Sequence, residues 1–183
     1  QCADPTFFES QDVEIPELPT EFVLCVGSIE ERKNQLSVFK AISKIRPELS
    51  LVLVGSGKSY LKDIKFWAKK NGLLNKLLHL EGINNAQLAQ VYRKAALLAY
   101  PSLHEGFGIP LAEAMACGTP ILTSTGGVFE EIAQGAATYC DPYSVESIAS
   151  GIDSILSDQD RTSQKVEIGK ERSGQFTRAK FAS

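Results

Sequence analysis

The sequence predicts an α/β domain, a doubly wound parallel sheet of about six strands with helices on both faces. Three observations carry that prediction. Short apolar runs at 22–26, 49–54, 77–80, 96–100, 121–123 and 137–140 have the pattern of strands buried on both faces. Segments of helical periodicity alternate with them through short connections, which implies parallel strands joined by right-handed crossovers. Glycine turns at Gly27, Gly55, Gly82, Gly106 and Gly126 each follow a strand, so they gather on the carboxyl edge of the sheet. Sheets of this class bind ligands at that edge.

Residues 1–21 are polar and broken by Pro5, Pro16 and Pro19, and read as a linker. The first strand ends in Gly27-Ser28. Asn34 is placed to cap a helix whose apolar positions are Leu36, Val38, Phe39, Ile42 and Ile45, with Pro47 as its stop. A helix over 59–71 carries Leu61, Ile64, Trp67 and Ala68 on one face, and another covers 85–94. Residues 109–117 form a short helix with Pro110 in its first turn, Gly118 in the left-handed position after it, and Pro120 forbidding continuation. Helices over 128–134 and 145–156 follow. The polar tail from Asp158 is also read as helical, with Phe176 and Phe181 as its anchors. The expected organisation is a linker to residue 21, one domain over 22–175, and the start of a further helix over 176–183.

A chain of 183 residues, 43% hydrophobic and 22% charged, has the composition of a soluble globular protein with a proper core. A net charge of -3 gives no overall attraction to nucleic acid or anionic membranes. No apolar run is long enough to span a bilayer, and no signal peptide is visible. Cys2, Cys25, Cys117 and Cys140 are scattered, without a CxxC pair and with only two histidines in the chain, so neither zinc nor a disulfide framework is expected and a reducing compartment fits. The only methionine is Met115, and the chain is therefore read as a piece of a longer protein.

The helix at 109–117 is apolar except for Glu113, and a carboxylate there is costly unless something pairs with it. Glu105 lies eight positions earlier, ahead of the glycine turn. Between the two acids, the N–H groups of Gly106, Phe107, Gly108 and Ile109 point out of a helix N-terminus, which favours anions. Arg32, Lys33 and Lys58 lie on the same rim, where two cations beside a helix start suit a phosphate pair. Taken alone, Glu113 is equally compatible with pairing a core arginine. Glu105 reads also as a solvated loop acid, and Arg32-Lys33 as a basic turn beside Glu30 and Glu31. Gly55-Ser56-Gly57 is not a dinucleotide fingerprint, because the third glycine is absent.

Residues 100–120, with Glu105 and Glu113 framing Gly106-Phe107-Gly108-Ile109-Pro110, resemble the signature of the family 4 retaining glycosyltransferases. The stretch 26–34, ending Arg32-Lys33-Asn34, resembles that family's first-strand motif, with mannosyltransferase-like members nearest. Asp4 to Phe8 is similar to the segment that precedes the domain, and Thr125-Gly126-Gly127 and 137–142 match later parts of the pattern. The resemblance implies one half of a GT-B fold: the C-terminal, Rossmann-like domain that binds the donor, a GDP- or UDP-linked sugar, without a metal cofactor. It implies that Glu113 binds the ribose hydroxyls and that Glu105 contacts the donor sugar. The N–H groups of 106–109 would hold sugar and phosphate oxygens, and Lys33 with an arginine would stabilise the diphosphate. Many members carry that arginine directly after the strand glycine, where this chain has Ser28, and Arg32 is the substitute. The base would lie near Gly27, Gly55, Ile83 and Asn84.

The resemblance further implies a hexosyltransferase of polysaccharide, O-antigen or glycolipid synthesis, cytoplasmic or at the membrane surface. Its acceptor would be bound by a separate N-terminal domain, and the segment 174–182 would begin the helix that crosses back to it. Two other classes fit the scaffold: a non-catalytic sugar-nucleotide-binding module, and another GT-B enzyme such as a sugar-nucleotide epimerase. Glu105, Glu113 and Lys33 together argue against the first, and the spacing of the two glutamates argues against the second.

Overall fold

The computed structural model describes residues 4–9 and 13–176. The further helix expected over 176–183, with Phe181, lies outside the described residues from 177 onward. Six strands, β1 (Phe22–Val26), β2 (Ser50–Val54), β3 (Leu77–Leu80), β4 (Leu97–Tyr100), β5 (Ile121–Ser124) and β6 (Ala137–Cys140), form one sheet in the order β3-β2-β1-β4-β5-β6. Every pairing is parallel. Among the described residues, seven α-helices alternate with and follow the strands: α1 (Gln35–Ile45), α2 (Ser59–Lys70), α3 (Asn85–Lys94), α4 (Ile109–Cys117), α5 (Val128–Ala133), α6 (Val145–Ser157) and α7 (Gln159–Ser173).

Period-two alternation divides the core between two layers. Phe22, Leu24 and Val26 of β1 face α3, α4 and α5, in a cluster with Val91, Tyr92, Leu111, Met115, Phe129 and Ile132. Val23 and Cys25 face the other way, against Val38, Phe39 and Ile42 of α1, Ile64 of α2 and Ile148 and Ile152 of α6. The four inner strands β1, β2, β4 and β5 are thereby buried throughout, as continuous apolar runs require, while the edge strands β3 and β6 are only partly buried. Helix α7 lies over α4. A Cβ at Gly169 would come within 3.2 Å of Met115 Cγ, so glycine permits that close approach.

Two elements differ from the sequence-based expectation. Asn34 does not cap α1 through its side chain: its φ is 62°, and its Nδ2 donates instead to the carbonyls of Pro101 at 3.2 Å and Pro142 at 2.6 Å. Asparagine tolerates this left-handed conformation, and the amide secures the ends of β4 and β6. Within the proline-broken leader, Pro5–Phe7 forms a 3-10 turn capped by Asp4, and Phe7 is 1% exposed. A phenylalanine pair in a short proline-broken segment carries no periodic signal, so nothing in the pattern shows that Phe7 is buried while Phe8 is exposed.

Candidate active site

The topology opens a fork at the carboxyl edge. β1 and β4 are neighbours, but their register runs only through Val23↔Leu97 and Leu24↔Leu98, while β1 continues to Val26 and β4 to Tyr100. The chain leaves β1 toward α1 on one face and leaves β4 toward α4 on the other. That divergence is the switch point at which doubly wound sheets form a crevice.

Two loops meet in the fork and are stitched together. Leu103 N–H donates to Arg32 O at 2.8 Å. Lys33 Nζ donates to Glu105 Oε1 at 2.5 Å and to Tyr100 Oη at 2.8 Å, and stands 4.9 Å from the Tyr100 ring centroid. Arg32 Nη1 donates to Glu105 Oε2 at 3.2 Å and to His104 O at 3.1 Å, while its Nε and Nη2 grip both oxygens of Glu30. Ser28 Oγ donates to the same Glu30. The Lys33 and Glu105 side chains are each 8% exposed. Burial works against the Glu105 charge, but hydrogen bonding led by Lys33 outweighs it and holds the carboxyl below the usual range. The Tyr100 phenol is pushed well up by burial and then by the Glu105 charge, so it stays protonated.

The four charges of Glu30, Arg32, Lys33 and Glu105 sum to zero. Lysine has three donors and Lys33 uses two on these side chains, whereas four of the five Arg32 donors are engaged. The structure therefore brings both predicted cations to Glu105 and commits Arg32 more fully to the surrounding loops.

Helix α4 starts at the mouth of the same crevice. None of the N–H groups of Gly106, Phe107, Gly108 and Ile109 has a partner among the described residues. They lead into a nine-residue helix whose positive end begins at Gly108 and Ile109. Glu113, one turn along, accepts a hydrogen bond from Tyr92 Oη at 2.9 Å. Burial raises the Glu113 carboxyl above its ordinary range, and the Tyr92 bond offsets part of that.

Gly27 and Gly55 close the floor of the rim. Gly55 has φ 143°, and a Cβ there would lie 2.0 Å from Gly27 O, so only glycine lets the β1 and β2 exits touch. Gly27 faces Lys33, whose Nζ would be 3.5 Å from an added Cβ. Ile83 packs against the core on the α3, α4 and α5 side. Asn84 forms a capping box with Gln87 at the start of α3, which occupies its side chain locally. Lys58 stands apart from Glu105, lining a separate cleft of about 490 Å³ with Arg32, Tyr60 and Asp63.

Sequence reasoning missed Tyr92, Tyr100 and Asn34. A tyrosine at a core position carries a hydroxyl that needs a partner, and for both tyrosines that partner belongs to the site. Among the described residues, Cys25, Cys117 and Cys140 are free thiols: burial pushes those of Cys117 and Cys140 up to about 12, and the Cys25 thiol upward also. Among the described residues no group of three His, Cys, Asp or Glu is placed to hold a metal ion, and no helix is long and apolar enough to cross a membrane.

Comparison with known proteins settles the family. The profile described as "Glycosyl transferases group 1" matches residues 8–172. The chain belongs to that family. It is 33% identical over 134 residues to the O-antigen chain mannosyltransferase RfbU of Salmonella typhimurium, covering 73% of this chain and 38% of that protein. The Anabaena HepE protein, solved in complex with UDP-glucose, superposes with a TM-score of 0.78 at 23% identity over 85% of this chain and 44% of that one. The C-terminal domain of the glycosyl transferase group 1 family protein LpcC from Francisella tularensis has a TM-score of 0.75 at 21% identity, covering 86% of this chain and 87% of that domain. These two likenesses establish the shared Rossmann-like fold. The chain spans 36% to 42% of the length of three curated relatives that it matches.

Proposed function

We propose that this chain is the donor-binding half of a retaining glycosyltransferase and holds a nucleoside-diphosphate sugar in the fork between β1 and β4. The observation that carries the reading is the meeting of Lys33, Glu105 and Tyr100 ahead of α4, where the N–H groups of 106–109 have no partner among the described residues, with Glu113 on that helix. The diphosphate would take the third donor of Lys33 and the N–H groups of 106–109, which stabilise charge as it builds on the leaving group. Arg32 adds positive charge from the flank while keeping Glu105 in place. Glu105 faces the donor sugar, and Glu113 accepts hydrogen bonds from the ribose hydroxyls. The base lies toward Gly27, Gly55, Ile83 and Asn84.

The phosphate charge would be met by the free donor of Lys33, by Arg32 and by the dipole of α4, and binding without a metal is the expectation that the EDTA arm below tests. The likeness to an O-antigen chain mannosyltransferase supports a hexose donor and a role in polysaccharide, O-antigen or glycolipid synthesis, and the donor proposed is linked to GDP or UDP. The acceptor would be bound by a second, N-terminal domain.

A thermal-shift screen of UDP, GDP, ADP and their sugar conjugates tests the reading. Saturation at a hundred times Kd stabilises by about 2.7 kcal/mol, which for a domain of this size raises Tm by about 5–10 °C. The shift is expected with one or more nucleoside diphosphates, absent with the bare nucleosides, and unchanged by EDTA. A shift that EDTA abolishes and magnesium restores would contradict metal-free binding, and no shift with any of these nucleotides would remove the donor-binding reading.

A further inference from the structure

We infer that Tyr92 is a positioning residue for nucleotide binding: its hydroxyl fixes one oxygen of Glu113 so that the other is presented to the ribose. The inference rests on the ribose role of Glu113 proposed above and adds to it a residue from a different helix. Glu113 is the lone acid on an otherwise apolar α4, and a glutamate side chain has several rotatable bonds. The Tyr92 hydroxyl on Oε2, at 2.9 Å, is the hydrogen bond it accepts among the described residues.

Tyr92 can serve as an anchor because it is itself immobilised. It is 0% exposed in α3, and Thr119 Oγ1 donates to its carbonyl at 2.8 Å. The Phe7 ring meets its ring edge-on, with centroids 6.0 Å apart and planes at 78°. Phe7 is in turn held through its carbonyl, which accepts from Arg93 Nη2 at 2.9 Å and Cys117 Sγ at 3.6 Å. A chain of contacts thus runs from the leader, through the Tyr92 ring, to the carboxylate on the far side of the cluster. A tyrosine placed only for core filling would gain nothing from its hydroxyl here. A phenylalanine of nearly the same shape would fill the space without approaching a buried charge.

The test uses Tyr92→Phe, which removes the hydroxyl and keeps the ring. Binding of UDP, GDP and ADP is compared with that of their 2′,3′-dideoxy forms, for the wild type and the variant. In the wild type the ribose form of the tightest-binding nucleotide should exceed its dideoxy form by about tenfold, the lower end of what a hydrogen bond to a charged group supplies. Tyr92→Phe should erase most of that ratio by weakening the ribose form alone. In a Glu113→Gln background, where no charge is left buried, Tyr92→Phe should change neither form, since coupled residues are non-additive.

Loss of both forms equally, or an unchanged ratio in Tyr92→Phe, overturns the inference while leaving the ribose reading of Glu113 standing. A wild type that does not distinguish ribose from dideoxyribose overturns that reading itself, and the positioning role with it.

Discussion

Glu113 has two opposed demands on it, and their balance can be measured. Burial raises its carboxyl above the ordinary range, so the folded state favours the protonated acid more than the unfolded chain does. The charged form at neutral pH therefore costs stability, and that cost falls away as the pH drops through the raised value. Ribose recognition, by contrast, needs the charge as an acceptor. Glu113→Gln should weaken nucleoside-diphosphate binding about fivefold, the loss of about 1 kcal/mol expected when a hydrogen bond to a charged group becomes a neutral one. It should leave Tm at pH 7 equal to or above that of the wild type, with the difference closing as the pH is lowered into the carboxylate range. Calorimetric titration and melting curves across pH read both effects. Unchanged affinity with a lower Tm at pH 7 would make Glu113 a structural residue. Its isolation on an apolar helix was visible in the sequence, and so was the need for a partner. The identity of that partner was not, because Tyr92 lies 21 positions away on another helix and reads by period as plain core.

At the scale of elements, the exits of β1 and β2 are fixed by glycines whose roles differ in a testable way. Gly55 at φ 143° would place a Cβ 2.0 Å from Gly27 O, and neither backbone can yield without opening the sheet edge. Gly82 has φ 75° but nothing within 4 Å of an added Cβ. Gly82→Ala should then cost only the backbone strain, on the order of 1–3 kcal/mol. Gly55→Ala adds a backbone collision to that strain and should cost clearly more, with loss of nucleotide binding. Urea melts of the two variants provide the comparison, and equal destabilisation would mean that the β1 and β2 exits can separate. Apolar runs alternating with helical segments made the sheet and its parallel sense legible in advance, and the glycines after the strands marked its carboxyl edge. The fork was less so. Sequence places Arg32-Lys33 and Glu105 on one edge, but their contact depends on β1 and β4 being neighbours that part after two paired residues, a property of tertiary register. The conformation of Asn34 was misjudged for the same reason: a local capping pattern lost to carbonyls supplied by the distant residues Pro101 and Pro142.

For the whole molecule, the decisive quantity is how much of a transfer site one Rossmann-like domain can build. The chain spans only 36% to 42% of the length of three curated relatives. In the described residues the crevice between β1 and β4 has a floor of glycines, a cationic wall from Lys33 and Arg32, and the N-terminus of α4. These groups are suited to hold a donor and to stabilise a departing diphosphate. All of them face the donor, and an acceptor hydroxyl would have to be held by groups beyond this set. Orientation of two reactants supplies about 7–11 kcal/mol of barrier lowering, and closure of a cleft commonly completes such sites. The 183-residue chain by itself is therefore expected to bind its sugar nucleotide and to leave the sugar untransferred, with slow hydrolysis as the most it achieves. The measurement is product formation from the tightest-binding donor in the presence of glycan and lipid-linked acceptors, run at donor saturation so that weak binding cannot imitate slow chemistry. Turnover in the ordinary enzymatic range of about 1–1000 per second would show that a single domain assembles both walls of the site, and would overturn the division of labour proposed for it.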